Sequence, residues 1–185
     1  MRIHNFTKPF SHTIIYDYYS PREASLILQE LQSLLPVMVT KQETGDPRSN
    51  GMLGLQLDWH YKEDRSKSHI LNFNRQIFNI TDKLKENKFM TYLDMSNEDL
   101  TQANYYPDGS EYHHHADHAV ISAVSTFWEE PKTFSGGQLT FSDYNYTPYM
   151  ENNTVVLFPS FELHEVQKVQ GNGRFSLNQF FFLNR

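Results

Sequence analysis

The stretch Tyr112-His113-His114-His115-Ala116-Asp117 decides how the rest of the chain is read. In an extended strand alternate side chains share a face, so His115 and Asp117 can grip one ion from a single strand. A third candidate ligand sits in Phe158-Pro159-Ser160-Phe161-Glu162-Leu163-His164-Glu165-Val166, far enough downstream for several strands to intervene. Two imidazoles and one carboxylate bind a divalent metal on one side and leave its other positions open for chemistry. Without a thiolate, that set favours Fe(II) over zinc–cysteine sites. Neutral imidazoles and an ionised carboxylate are both available near pH 7. His113, His114 and His118 crowd the same stretch, and a plain histidine-rich surface turn would also bind divalent metals. With His115, Asp117 and His164 the set is complete, so neither His113 nor His114 is assigned as a ligand.

Working outward, the chain from about residue 100 has the texture of strands. Candidates are 100–106, 119–128, 138–141, 154–158, 165–169 and 174–183, punctuated by Asp108-Gly109, Gly136-Gly137, Asn152-Asn153 and Gly171-Asn172-Gly173. Upstream, Ser20 and Glu23 form a capping-box pair with Pro21 at the first helical position. Ala24, Ile27, Leu28, Leu31, Leu34 and Leu35 then fall on one face, and Pro36 closes the run. A second helix is predicted over about 68–86, with Ile70, Phe73, Ile77, Ile80 and Leu84 on its stripe. Between them, residues 41–66 are polar and glycine-containing; short strands and a mobile loop both fit. Helices followed by many strands predict an α+β, mainly β fold, with helices packed on one sheet of a sandwich. One domain over 1–185 is expected, with helical support at about 20–87 and a β core at about 100–183.

Composition narrows the function classes. The chain has 185 residues, enough for one well-filled core. Aromatics make up 15%, with 14 Phe and 11 Tyr, a load that suits pleated surfaces. There are no cysteines, which excludes disulfide staples, zinc–thiolate sites and cysteine nucleophiles. Net charge is −6, with no run of lysines or arginines to displace counterions from phosphates, so no nucleic-acid partner is expected. The first twenty or so residues lack a signal-peptide stretch, and the apolar run 180–183 is too short to cross a bilayer. A soluble, cytoplasmic protein without a membrane partner is the expectation; oligomeric state is left open. Four Asn-x-Ser/Thr matches, at Asn5, Asn79, Asn145 and Asn152, are read as chance in such a protein.

Several further blocks carry a family resemblance: Tyr106-Pro107-Asp108-Gly109, Ser135-Gly136-Gly137-x-Leu139-x-Phe141, Phe158-Pro159-Ser160, His164-Glu165-Val166 and Gly173-Arg174-Phe175-Ser176. With Tyr112-x-x-His115-x-Asp117 ahead of them, the chain over about 104–182 resembles the iron- and 2-oxoglutarate-dependent oxygenases, in their prolyl-4-hydroxylase-like branch. The resemblance implies a double-stranded β-helix, or jelly roll, with Fe(II) as metal, 2-oxoglutarate and O2 as cosubstrates, and ascorbate as a candidate reductant. It implies that the iron centre carries the chemistry, with no catalytic acid or base from the protein. Arg174, Ser176 and Asn178 share one face of a strand of period two, and by resemblance Arg174 receives the distal carboxylate of 2-oxoglutarate with Ser176 beside it. Tyr106 resembles a residue near the cosubstrate, although a core role fits it equally. Where some relatives place a further tyrosine, this chain offers Thr126.

The implied activity is hydroxylation of a prolyl residue in a peptide or protein. Hydroxylation of a free amino acid or other small molecule is the alternative. A cupin-like metal-binding protein without oxygenase activity is the other, and it would have no use for Arg174 and Ser176. Trp59 and Tyr61, with Arg48 and Arg65 in the same 41–66 segment, are candidate substrate contacts, and that segment is either a lid or the wall of a groove.

Overall fold

Both faces of the central strands are buried, and the alternation of their side chains explains why. In this computed structural model, which describes residues 1–40 and 47–183, the strands in chain order are β1 (Arg2–Phe6), β2 (His12–Tyr16), β3 (Val39–Thr40), β4 (Ser49–Asn50), β5 (Leu53–Gln56), β6 (Ser96–Tyr106), β7 (Glu111–His115), β8 (Ile121–Phe127), β9 (Phe134–Gly136), β10 (Leu139–Phe141), β11 (Thr154–Pro159), β12 (His164–Val166), β13 (Val169–Gly171) and β14 (Arg174–Leu183). They form an eight-stranded sheet in the order β1-β2-β11-β8-β14-β6-β5-β3, a four-stranded sheet in the order β10-β12-β7-β4 and a two-stranded pair, β13-β9. Along β11, Val155 and Leu157 pack with the helices, whereas Val156 and Phe158 pack with Leu139 and Phe141 of the smaller sheet. Phe175, Leu177 and Phe181 of β14 likewise face the helices. Two sheets face each other with helices on the outside of the larger one, the jelly-roll arrangement that the resemblance implies.

The first helix forms as its capping signals predict. In α1 (Pro21–Leu34) the Glu23 N–H donates to the Ser20 hydroxyl, and the Ser20 N–H donates to the Glu23 carboxylate. Ile27, Leu31 and Leu34 are buried on its inner face, each side chain contributing about 1.5–3 kcal/mol. A short helix, α2 (Leu57–His60), follows β5. The predicted second helix is broken. It consists of α3 (His69–Asn74), a 3-10 segment (Arg75–Asn79) and α4 (Thr81–Leu84), followed by the short α5 (Tyr92–Met95). The stripe itself is right, since Ile70, Ile77 and Leu84 are buried and Phe73 and Ile80 pack against the core. The break comes from a buried polar anchor: the Asn74 amide accepts from the Tyr19 hydroxyl and donates to Thr101 Oγ1 at 3.1 Å. Side-chain amides that bond elsewhere compete with a regular helix.

Of the segment 41–66, residues 41–46 lie outside the described residues. The remainder resolves the alternatives left by the sequence in favour of short strands: β4 pairs with β7, and β5 with both β3 and β6. A second correction concerns the strand predicted at 165–169, which is two strands, β12 and β13, separated by Gln167 and Lys168. The strands β1, β2 and β9 were not legible in the sequence.

Buried among aromatic rings in β2, His12 supplies a pH-dependent contribution to stability. Its Nδ1–H donates to the Phe10 carbonyl at 3.0 Å, its Nε2 accepts from the Tyr146 hydroxyl at 2.9 Å, and Phe6 stacks on the ring at 4.7 Å. Burial lowers its pKa from 6.5, so the unfolded chain takes up a proton first as the pH falls. The stability from a neutral His12 is therefore complete above about pH 6.5 and is lost progressively below it. Urea unfolding of the metal-free protein on either side of that pH should show this loss, and it should be smaller in His12→Gln. An equal loss in the variant would assign the effect to other groups.

Candidate metal centre

Strand β7 ends at His115, so Asp117 lies just beyond the strand and not on it as the spacing suggests. Backbone bonding still brings its carboxylate round to the same side: the Asp117 N–H donates to the Ser160 carbonyl at 2.8 Å. Strand β12 lies beside β7 with His164 opposite His115, and the two imidazole centroids are 4.2 Å apart. His115 Nε2 is 3.7 Å from Asp117 Oδ1, and His164 Nε2 is 3.6 Å from Asp117 Oδ2. One ligand atom from each of the three residues lies within 4.8 Å of the others.

Both rings are locked in one tautomer. The Nδ1–H of His115 donates to the His113 carbonyl at 2.8 Å, and that of His164 donates to the Glu162 carbonyl at 2.9 Å. Each Nε2 lone pair is thereby left to face the centre, the usual arrangement behind ligating histidines. Burial, reinforced by the neighbouring His164 ring, lowers the His115 pKa to about 4, and burial lowers that of His164. Both imidazoles are neutral at pH 7, as ligation requires. Tyr112 stacks on His115 at 3.9 Å, and Phe158 meets His164 edge-on at 4.8 Å. The centre thus sits where the two interior apolar clusters, one around Phe158 and Phe141 and one around Tyr112 and Tyr106, come together.

Ser122 and Ser160 orient the carboxylate. Ser122 Oγ donates to Asp117 Oδ2 at 2.6 Å and lies 2.8 Å from Ser160 Oγ. Ser160 lies in the Phe-Pro-Ser block, but nothing in the sequence marks Ser122, which only strand pairing brings to the site. Removing a group that orients a ligand typically costs about 10–100-fold in metal affinity or activity. Ser122→Ala is expected to weaken Fe(II) binding within that range in a titration; affinity equal to wild type would show that Ser160 alone suffices.

Away from the triad, Arg174 is 1% exposed, and neither terminal guanidinium nitrogen has a hydrogen-bond partner. Its guanidinium carbon lies 4.3 Å from the centre of the Tyr106 ring, and the Tyr106 hydroxyl is also buried without a hydrogen bond. Burial lowers the Arg174 pKa and raises that of Tyr106. Leaving a guanidinium uncompensated in the interior costs several kcal/mol, roughly, so folding alone gives no reason for it. An incoming carboxylate supplies what is missing, with two parallel charge-assisted bonds. The chain makes room for this arginine by omitting a side chain: a Cβ on Gly137 would sit 2.6 Å from Arg174 Cδ, and φ there is +68°.

Ser176 accepts from the Asn104 amide at 3.4 Å and donates to Asn178 Oδ1 at 3.3 Å. Thr126 is paired in register with Ser176 and lines a cavity of about 330 Å³ with Arg174, but its hydroxyl donates to the Glu151 carbonyl at 3.2 Å. A separate cavity of about 230 Å³ opens over His115 and Asp117 and is lined in part by Arg48, Gln102, Asn178 and Phe180. Tyr61 does not line it. It packs against the helical core, and burial with the nearby Glu30 carboxylate pushes its phenol up to about 12. Trp59 is 73% exposed on α2.

Comparison with known proteins agrees with this architecture. Residues 101–182 match the model of the 2OG-Fe(II) oxygenase superfamily, and no curated protein sequence matches the chain. Among solved structures, a Pseudomonas putida prolyl-4-hydroxylase superposes with a TM-score of 0.68 at 17% identity, covering 94% of this chain and 93% of that one. A Trichoplax adhaerens prolyl hydroxylase, solved with a hypoxia-inducible-factor oxygen degradation domain peptide fragment, gives 0.65 at 16% identity, covering 92% and 83%. A viral collagen prolyl hydroxylase from Paramecium Bursaria Chlorella virus-1 gives 0.61 at 13% identity, covering 92% and 94%. At these identities the likeness is one of fold.

Proposed function

We propose that this chain, whose residues 101–182 match the model of the 2OG-Fe(II) oxygenase superfamily, is an oxygenase of that kind and hydroxylates a prolyl residue in a peptide or protein. The observation that carries the oxygenase chemistry is the pairing of two half-sites in one barrel. Asp117 and the neutral imidazoles of His115 and His164 are poised for a metal, and a buried Arg174 has its terminal guanidinium nitrogens unpartnered. The prolyl substrate is favoured by the fold shared with several prolyl hydroxylases.

In this reading His115 and His164 ligate through Nε2 while their Nδ1–H bonds hold the rings in place, and Asp117 completes the set, steadied by Ser122. Three protein ligands leave the remaining positions open. Fe(II), when bound, supplies dioxygen activation coupled to oxidative decarboxylation of 2-oxoglutarate to succinate and carbon dioxide. Arg174 holds the distal carboxylate of the cosubstrate, with Tyr106 and Ser176 as neighbouring hydroxyls. Thr126 is a weaker candidate for that role because its proton is engaged elsewhere. The aromatic rings around the two imidazoles keep bulk water from the centre and strengthen its electrostatics.

The test is to incubate the purified protein with Fe(II), 2-oxoglutarate, ascorbate and a panel of proline-containing peptides. Succinate release should rise above the peptide-free level, and the peptide should gain one oxygen atom on proline. Failure of every prolyl peptide, with stimulation by a free amino acid instead, would replace the substrate class and keep the chemistry.

A further inference from the structure

We infer that the substrate lies extended in a groove running from the triad across a row of side-chain amides to Trp59, which takes an apolar or prolyl side chain several residues from the reacting one. This rests on the peptide-hydroxylase reading and adds to it where and how the flanking chain is held.

Two cavities share a wall. The first, about 230 Å³, lies over His115 and Asp117 and is bounded by Asn178, Phe180, Phe182 and Gln102. The second, about 520 Å³, is bounded by Val39, Leu55, Gln56, Trp59 and again Gln102. Strand register explains the continuity. Asn178 of β14 is paired with Gln102 of β6, and Gln102 is paired with Gln56 of β5. Side chains directly opposite one another on neighbouring strands sit about 5 Å apart, so three amides form a continuous floor. Gln102 Nε2 donates to Asn104 Oδ1 and Asn178 Oδ1 accepts from Ser176, which holds these amides in place; each carries both donors and acceptors, and a peptide backbone presents one of each per residue. Such a floor can hold a main chain without reading its sequence.

Trp59 supplies the reading. Trp59 is the most exposed of the large apolar side chains among the described residues, and tryptophan is over-represented where binding energy concentrates. Its support is rigid. Leu57 is fully buried, and the Asp58 carboxylate accepts from the Thr101 N–H at 2.6 Å and bonds the Arg65 guanidinium. The turn of α2 that carries the ring is thus fixed before any partner arrives, which lowers the entropy lost on binding. Two to three strand spacings separate β14 from the β5–β3 edge of the groove, about 10–15 Å, or three to five residues of extended peptide. A free amino acid held at the triad would not reach it.

The experiment uses the full chain loaded with Fe(II) and 2-oxoglutarate. It compares peptides of about ten residues, carrying an apolar residue three to five positions to either side of a central proline, with a proline tripeptide. For Trp59→Ala the KM of the best long peptide should rise at least tenfold, with peptide-free 2-oxoglutarate turnover unchanged. Trp59→Phe should recover part of the affinity, and the tripeptide should show a high KM that the substitutions do not alter. An unchanged KM for the long peptide in Trp59→Ala, or a tripeptide as good as the long peptide, would overturn the groove while leaving prolyl hydroxylation standing. No stimulation of wild type by any prolyl peptide would overturn both.

Discussion

Asp117→Ala should release no succinate above background while remaining folded. The carboxylate lies beyond the end of β7, belongs to no apolar cluster, and takes its side-chain hydrogen bond from Ser122. Its removal therefore takes away a ligand and little else. Two neutral imidazoles alone hold Fe(II) weakly and without the negative charge that an oxygen-binding ferrous centre uses. Fe(II) titration should show the loss directly, and circular dichroism should match wild type. Near-normal succinate release with an intact fold would refute the metal assignment.

Arg174→Ala is expected to lower the apparent affinity for 2-oxoglutarate at least tenfold with Fe(II) binding nearly unchanged. Removing one partner of a desolvated charge pair costs about 2–5 kcal/mol. The same burial yields an unusual companion result. In the cosubstrate-free protein this guanidinium lacks hydrogen bonds, so Arg174→Met should unfold at the same urea concentration as wild type or a higher one. Adding 2-oxoglutarate should then stabilise wild type and leave the variant unmoved, because a ligand stabilises only the state that binds it. Equal 2-oxoglutarate affinity in wild type and Arg174→Ala would refute the role, and marked destabilisation of the methionine variant would make the residue structural.

The His115/Asp117 pair, the stripe of Arg174 and the predominance of strand were legible because they are local in the chain, whereas His164 lies far downstream and enters as third candidate ligand through the order of the sequence blocks. His115 and Asp117 sit two residues apart, and Gly136-Gly137 marks a turn before any coordinates are known. The capping box at Ser20 needs only four consecutive residues, and it forms as predicted. The broken helix after Ser68 was not legible, since the stripe of Ile70, Ile77 and Leu84 continues through the break. What ends the helix is Asn74, bonded to Tyr19 and Thr101, and neither partner is near it in sequence.

The sequence by itself determined the residue types of the candidate donor set, which favour Fe(II) over zinc–thiolate sites, and the period-two stripe carrying Arg174. Only the tertiary structure decided that Asp117 leaves the strand and is aimed by Ser122, that β4 and β5 are sheet, that Tyr61 packs against the helical core, and that the cavities beside the triad and beside Trp59 share Gln102. The division has one physical cause. Ligand identity and strand period are properties of neighbouring residues, whereas register between strands distant in the chain is set by packing two sheets and a helical layer together. Asn178, Gln102 and Gln56 become neighbours only when β14, β6 and β5 pair.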